Sequence, residues 1–245
     1  MSSLEYDILV TGSSGHLGAA LMLCLPSHGH TPLGIDILPS STTTHTLSIT
    51  DRAALTTLFT SHPSIKHIIH AATLHKPHVA SHPKQAFIDT NITGTLALLE
   101  TSSAHLPSLR SFIFISTTST YGSALAPAPG SPAAWITEPT PPPFPDDGDT
   151  LARLNAGAGA GAEGVYRACV PAAGAVFEKL GWRFPDSVDR VYDSARAVRE
   201  LGWRPEWTFE KVVERLARGE DWRSELTRVV GKRGYHDVPT GVYTT

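Results

Sequence analysis

The sequence predicts an α/β fold: a doubly wound parallel sheet followed by a small C-terminal helical lobe. Three observations predict it. Short apolar runs rich in strand formers recur over residues 6–11, 32–35, 65–70 and 111–116. Helical patterns separate them, over 17–23, 51–59 and 84–105. A glycine-rich turn joins the first strand to the first helix. Strand, turn, helix, strand is the alternation of a parallel sheet covered on both faces. Its connections are expected to be right-handed.

Each element has a local reason. YDILVT at 6–11 is a continuous apolar run, as a strand buried on both faces requires. Leu17, Ala19, Ala20, Leu21 and Leu23 give the helix after it an apolar stripe. The second strand ends at Asp36. Asp51 opens the next helix, DRAALTTLF, as its N-cap. The strand at 65–70 ends at His70, read here as a hydrogen-bonded core histidine and not as a base.

The alternation stops near Tyr121. Residues 124–148 are crowded with Ala, Pro, Gly and Asp, a loop composition. AGAGAGAEG at 156–164 is low-complexity sequence. Helices resume around 171–180, 193–201 and 208–218. Two of them end alike, in LGWRFP and LGWRP. There the Gly suits a left-handed cap and the Pro forbids continuation. The expected organisation is a sheet domain over 1–122, a Pro/Ala/Gly-rich loop over 123–164 and a helical tail over 165–245.

Composition narrows the function. Net charge is -3 with 18% charged residues, which argues against a nucleic-acid binder. The start of the chain lacks a basic segment followed by a long apolar run, and no run reaches membrane length. A cytoplasmic protein with no membrane partner is expected. The two cysteines, Cys24 and Cys169, form no framework and are expected to be small buried residues.

Thr11-Gly12-Ser13-Ser14-Gly15-His16-Leu17-Gly18 spans the first strand–helix turn. Gly12 permits the tight turn, Gly15 a close approach of backbone to a pyrophosphate, and Gly18 close helix–strand packing. Ser14, His16 and Leu17 fill out a turn whose helix start presents N–H groups and a positive dipole end to phosphate. Asp36 stands about 20 residues on, where a carboxylate can bind the ribose 2′-hydroxyl. The same carboxylate repels a 2′-phosphate, so NAD is favoured over NADP. Together these are the dinucleotide-binding fingerprint of a Rossmann-like domain.

With these residues the chain resembles the extended short-chain dehydrogenase/reductase superfamily, in its NAD-dependent epimerase/dehydratase branch. TGxxGxxG is matched by Thr11 to Gly18. HAA at 70–72, the element from Asn91 to Thr95, STTSTYG at 116–122 and LGWRPEWTFEKVV at 201–213 also match. The resemblance covers 6–138 well and 175–236 loosely. It implies that Asp51 meets the adenine, that Ala71 and Ala72 line the cofactor groove, and that Asn91 steadies the segment that follows. It makes Thr117 the catalytic-class hydroxyl, holding the oxygen of a small-molecule substrate. It also implies an oxidoreductase or epimerase acting on a small polar or nucleotide-linked substrate, and a homodimer.

One part of the pattern is missing. The family's acid/base is a tyrosine helped by a lysine four residues later, because a tyrosine's ordinary pKa is about 10. Trp135, Ile136, Thr137 and Glu138 match the element before that pair, but no Tyr-x-x-x-Lys follows. Tyr6, Tyr121 and Tyr166 are followed at that spacing by Val10, Leu125 and Val170. Tyr192 is followed by Arg196, read as a surface helix start. The chain is therefore expected to be truncated within its catalytic segment, with weak or absent turnover. A non-catalytic NAD-binding pseudoenzyme and an incomplete, mis-spliced gene product are the alternatives.

Two other groups carry less. His75, His78 and His82 would share a helical face, but Pro77 and Pro83 break the helix and no acid or thiol stands close, so no metal is expected. Trp182, Trp203, Trp207 and Trp222 are expected to pack the helical lobe onto the sheet.

Overall fold

The computed structural model describes residues 5–117, 134–137, 161–185 and 190–231. They fall into two compact units. The first holds residues up to Ser116 together with those from Glu225; the second runs from Thr117 to Ser224.

The first unit is built on a five-stranded parallel sheet in the order β3-β2-β1-β4-β5. Its strands are β1 (Ile8–Thr11), β2 (Pro32–Asp36), β3 (His45–Thr46), β4 (His67–His70) and β5 (Ser111–Phe114). Between them run α1 (His16–Cys24), α2 (Arg52–Ser61), α3 (Lys84–Phe87) and α4 (Thr95–His105). Every residue of β1 is buried, which is why its sequence is a run and not an alternation. One face of the sheet packs Leu9, Leu33, Ile35 and Ile68 against Leu55, Phe59 and Leu98 of α2 and α4. The other packs Ile8, Val10 and Ile69 against Leu21 and Met22 of α1. The expected parallel α/β sheet with a Rossmann-like strand order is thus observed.

A local signal places α2 where the sequence expects it. The Asp51 carboxylate caps α2 by accepting the Ala54 N–H at 3.0 Å. The helix expected over 84–105 is continuous but not uniform. A π-helical turn, Ile88–Gly94, separates α3 from α4. Such turns are rare and often accompany functional sites. β3, only two residues long, was not foreseen.

The second unit contains β6 (Ala134–Ile136), α5 (Gly161–Cys169), α6 (Ala173–Leu180), β7 (Arg190–Tyr192), α7 (Ala195–Leu201) and α8 (Phe209–Ala217). β6 and β7 pair in parallel, with Trp135 opposite Val191. Thus a strand and the start of a helix lie within the span read as loop over 123–164. The tail is divided too: α9 (Glu225–Val230) belongs to the first unit, beside α1. The core of the second unit is Val170, Ala173, Val176 and Val213. Phe184 packs against it and stacks on Phe177, with ring centroids 4.2 Å apart. Gly181 and Gly202 cap α6 and α7 at φ 67° and 66°, as the paired LGWR segments predict.

The two cysteines differ from the buried state expected of them. Cys169 is exposed and Cys24 half-buried; both are free thiols. Trp182 packs edge-on to Phe177, and Trp207 lies under Lys211 and Arg215. These contacts are made inside the second unit. Among the described residues no helix is long and apolar enough to cross a membrane.

Candidate functional site

In an open parallel sheet, ligands bind outside the C-terminal strand ends, where the strand order reverses. Here that point lies between β1 and β4. Thr11 ends β1, and His70, its register partner, ends β4. The glycine turn follows Thr11 and the Ala71–Ala72 segment follows His70.

The turn is shaped by its glycines. Gly12 has φ 73°, a left-handed conformation that other residues rarely adopt. A Cβ there would lie 2.8 Å from the Ala72 nitrogen, so the turn presses directly on the Ala71–Ala72 wall. A Cβ at Gly18 would collide with the Gly12 carbonyl, which fixes how closely α1 approaches the turn. Gly15 is the N-cap of α1 and provides no side-chain cap, and the first turn contains no acid. The N–H groups of a helix's first turn have no acceptor within the helix itself, and no side chain caps this one. With the dipole behind them they suit an anion.

β2 supports the turn from below. The Gly12 and Ser13 N–H groups donate to the Ile35 carbonyl at 2.9 and 3.2 Å. Thr42, on the chain after β2, donates its hydroxyl to the Ser13 carbonyl at 2.7 Å. Asp36 reaches back to the turn: one carboxylate oxygen accepts the Ser14 N–H at 3.0 Å, the other the Leu38 N–H at 2.9 Å. Each carboxylate oxygen has further acceptor capacity.

The wall opposite is residues 71–74. The Asn91 amide, carried on the π-helical turn, accepts the Leu74 N–H at 2.8 Å and donates to the Leu74 carbonyl at 2.7 Å. Gly12, Ser14, Gly15, His16, Leu17, Gly18, Asp36, Asp51, Ala71, Ala72 and Asn91 all belong to the first unit. Asp51 is engaged as the α2 cap. Thr117 begins the second unit.

Sequence reasoning missed the hydroxyls that brace this site. Thr11 and Thr95 stand in the matched motifs but carry no hydroxyl role there, and nothing marks Thr42. Their partners are distant in sequence, and spacing does not reveal them. His70 is buried and hydrogen-bonded, as expected, and burial pushes its imidazole down to about 4.

His75, His78 and His82 lie in and beside a 3₁₀ turn, Lys76–Ala80. Their rings meet edge-to-face at 4.9 and 5.3 Å. Among the described residues no three His, Cys, Asp or Glu side chains are grouped to hold a metal ion. Tyr192 lies in β7 and Arg196 in α7, so they do not share one helix. Arg196 pairs with Glu200 at 3.0 Å.

The strand order, the glycine turn and the acid closing β2 define a Rossmann-type nucleotide-binding fold. Comparison with known proteins gives the family. The model of the NAD dependent epimerase/dehydratase family matches residues 8–144, over half of the chain. The chain belongs to that family. The UDP-glucose 4-epimerase of Yersinia pestis is 31% identical over 130 residues, covering 47% of this chain and 38% of the relative. That of Mus musculus is 30% identical over 136 residues, with the same coverage. The match thus spans about 38% of the length of these curated relatives. A crystal structure of a UDP-glucose-4-epimerase from Stenotrophomonas maltophila, with bound NAD and formylated UDP-arabinopyranose, shares the fold. Its TM-score is 0.56 at 16% identity, over 87% of this chain and 99% of that one.

Proposed function

We propose that this chain binds NAD at the β1–β4 crevice and is an epimerase- or oxidoreductase-type protein for a nucleotide-linked sugar. The observation that carries the reading is the turn itself. Three glycines clear a path for backbone, α1 begins without a side-chain cap, and Asp36 stands hydrogen-bonded to Ser14. Those features fit a dinucleotide: phosphate at the helix start, ribose at the acid.

In this reading the turn from Gly12 to Gly18 and the start of α1 hold the pyrophosphate. Asp36 accepts the ribose hydroxyls, and Asp51 stands toward the adenine. Ala71 and Ala72, kept small, form the wall, and Asn91 braces it. Thr117 offers its hydroxyl to the substrate oxygen. When bound, NAD supplies a hydride acceptor. The sugar-nucleotide class rests on the relatives, which carry the name UDP-glucose 4-epimerase. The free thiols fit a reducing, cytoplasmic setting.

A second reading has its own observation. None of the six tyrosines is followed four residues later by a lysine. Without that pair a phenol near its ordinary pKa of about 10 is a poor base at neutral pH. A chain that binds NAD without turnover is a pseudoenzyme. The experiment is NADH binding followed by fluorescence, alongside an assay of UDP-glucose conversion to UDP-galactose. Binding with turnover supports the enzyme; binding alone supports the pseudoenzyme; no binding by the folded chain rejects both.

A further inference from the structure

Thr11 and His70 do more than face each other across β1 and β4. The Thr11 hydroxyl oxygen lies 2.7 Å from His70 Nδ1. The other ring nitrogen, Nε2, lies 2.9 Å from the Thr95 hydroxyl on α4. Neighbouring groups assign the protons. Thr95 donates its hydroxyl to the Asn91 carbonyl at 2.7 Å. A hydroxyl has one proton. Thr95 must therefore accept from His70, which places the imidazole proton on Nε2. Nδ1 is then a bare acceptor, and Thr11 donates to it.

The Thr11 oxygen is left to accept. The Ala71 and Ala72 N–H groups point to it at 3.2 and 3.1 Å. Every link is satisfied and all run one way: from the Ala71 and Ala72 amides to Thr11, His70, Thr95 and Asn91. Asn91 then grips Leu74 by both of its backbone groups. Residues 71–74 are held at both ends. The chain threads the point where the strand order reverses, and His70 is 1% exposed at its centre.

We propose that His70, as the neutral Nε2–H tautomer, is a positioning residue for the dinucleotide, setting the spacing between the Gly12 turn and the 71–74 wall. This rests on the reading that the chain binds NAD. His70 acts through Thr11 and Thr95. Little slack exists to absorb its loss, because Gly12 already lies against the Ala71–Ala72 peptide. Phe112 and Phe114 pack their rings 5.9 and 5.6 Å from the imidazole, and burial keeps it neutral.

The test has two parts. The first is NADH affinity of the wild type, Thr11→Val, His70→Leu and His70→Asn, each checked for folding by circular dichroism. Thr11→Val and His70→Leu are expected to weaken NADH binding about tenfold, the scale of one lost buried hydrogen bond. His70→Asn retains an acceptor near the place of Nδ1 and is expected to recover most of the affinity, which a purely space-filling role would not give. The second part is the nitrogen NMR spectrum of the wild-type imidazole at pH 7. It is expected to show Nε2 protonated and Nδ1 bare. Unchanged affinity in folded Thr11→Val and His70→Leu overturns the positioning role alone. An Nδ1–H tautomer overturns the directed chain, whether or not the variants fold. A folded wild type that binds no NADH overturns the NAD reading itself, and the positioning role with it.

Discussion

The Asp36 carboxylate accepts the Ser14 N–H at 3.0 Å, tying the acid that ends β2 to the turn that ends β1. The negative charge is therefore fixed beside the proposed phosphate site. A 2′-phosphate brought there meets a like charge that cannot swing away without breaking this bond. Asp36→Asn keeps the shape and removes the charge. The ratio of NADPH to NADH dissociation constants is expected to fall about tenfold, since one lost charged contact is worth about 1.5 kcal/mol or more. Parallel titrations with the two nucleotides check it.

Gly18 and Gly15 separate folding from binding. A Cβ at Gly18 meets the backbone of the Gly12 turn, which has no room to move. Gly18→Ala is expected to cost about 1–3 kcal/mol, the scale of overpacking. In a chain of this size that lowers the melting temperature by roughly 2–4 °C per kcal/mol. A Cβ at Gly15 meets only the Gly12 carbonyl, at 3.2 Å. Gly15→Ala is expected to lower the melting temperature much less than Gly18→Ala, yet to bind NADH more weakly. Thermal unfolding and titration of both variants give the two readouts.

Asp51 carries a stability role that is independent of any cofactor. Its carboxylate caps α2 through the Ala54 N–H. Asp51→Ala is expected to cost about 1 kcal/mol, and Asp51→Ser to restore most of it, because a hydroxyl caps as well. Urea midpoints of the three proteins, without nucleotide, test this.

Acid should destabilise the protein by a route the structure names. His70, His62 and His78 are all held below the ordinary imidazole value of 6.5, each chiefly because burial disfavours the cation. Below that pH the unfolded chain takes up protons that the folded chain refuses. Stability is thus complete above pH 6.5 and is lost as pH falls toward about 4, the folded value for His70. At lower pH Asp7 adds a loss of the same sign. Burial opposes its ionisation, but hydrogen bonds from His30 and the Thr31 N–H outweigh it and lower its pKa. For His70 alone the shift corresponds to about 3 kcal/mol. Urea midpoints are expected to fall between pH 7.5 and pH 5, and to fall less in His70→Gln.

The sheet and its helices were legible because their signals are local. β1 and β4 are apolar runs, α2 carries its own cap, and the LGWR segments carry their own stops. The π-helical turn was not, because it only changes which backbone groups pair within a continuous helix, and no residue type marks that change. β6 was not, because three residues become a strand only by pairing with residues 190–192. The site divides in the same way. The glycines and Asp36 follow a short, ordered pattern, whereas the contact between Thr11 and His70 spans 59 residues and exists only once β1 and β4 are in register.

The central claim is that the β1–β4 crevice takes NAD. The measurement that tests it most directly is a calorimetric titration of the purified chain with NADH. Saturable binding of one nucleotide per chain, lost in Gly12→Val, is the predicted result. A folded, monodisperse chain that gives no binding heat, and no NADH retention in equilibrium dialysis, would contradict it.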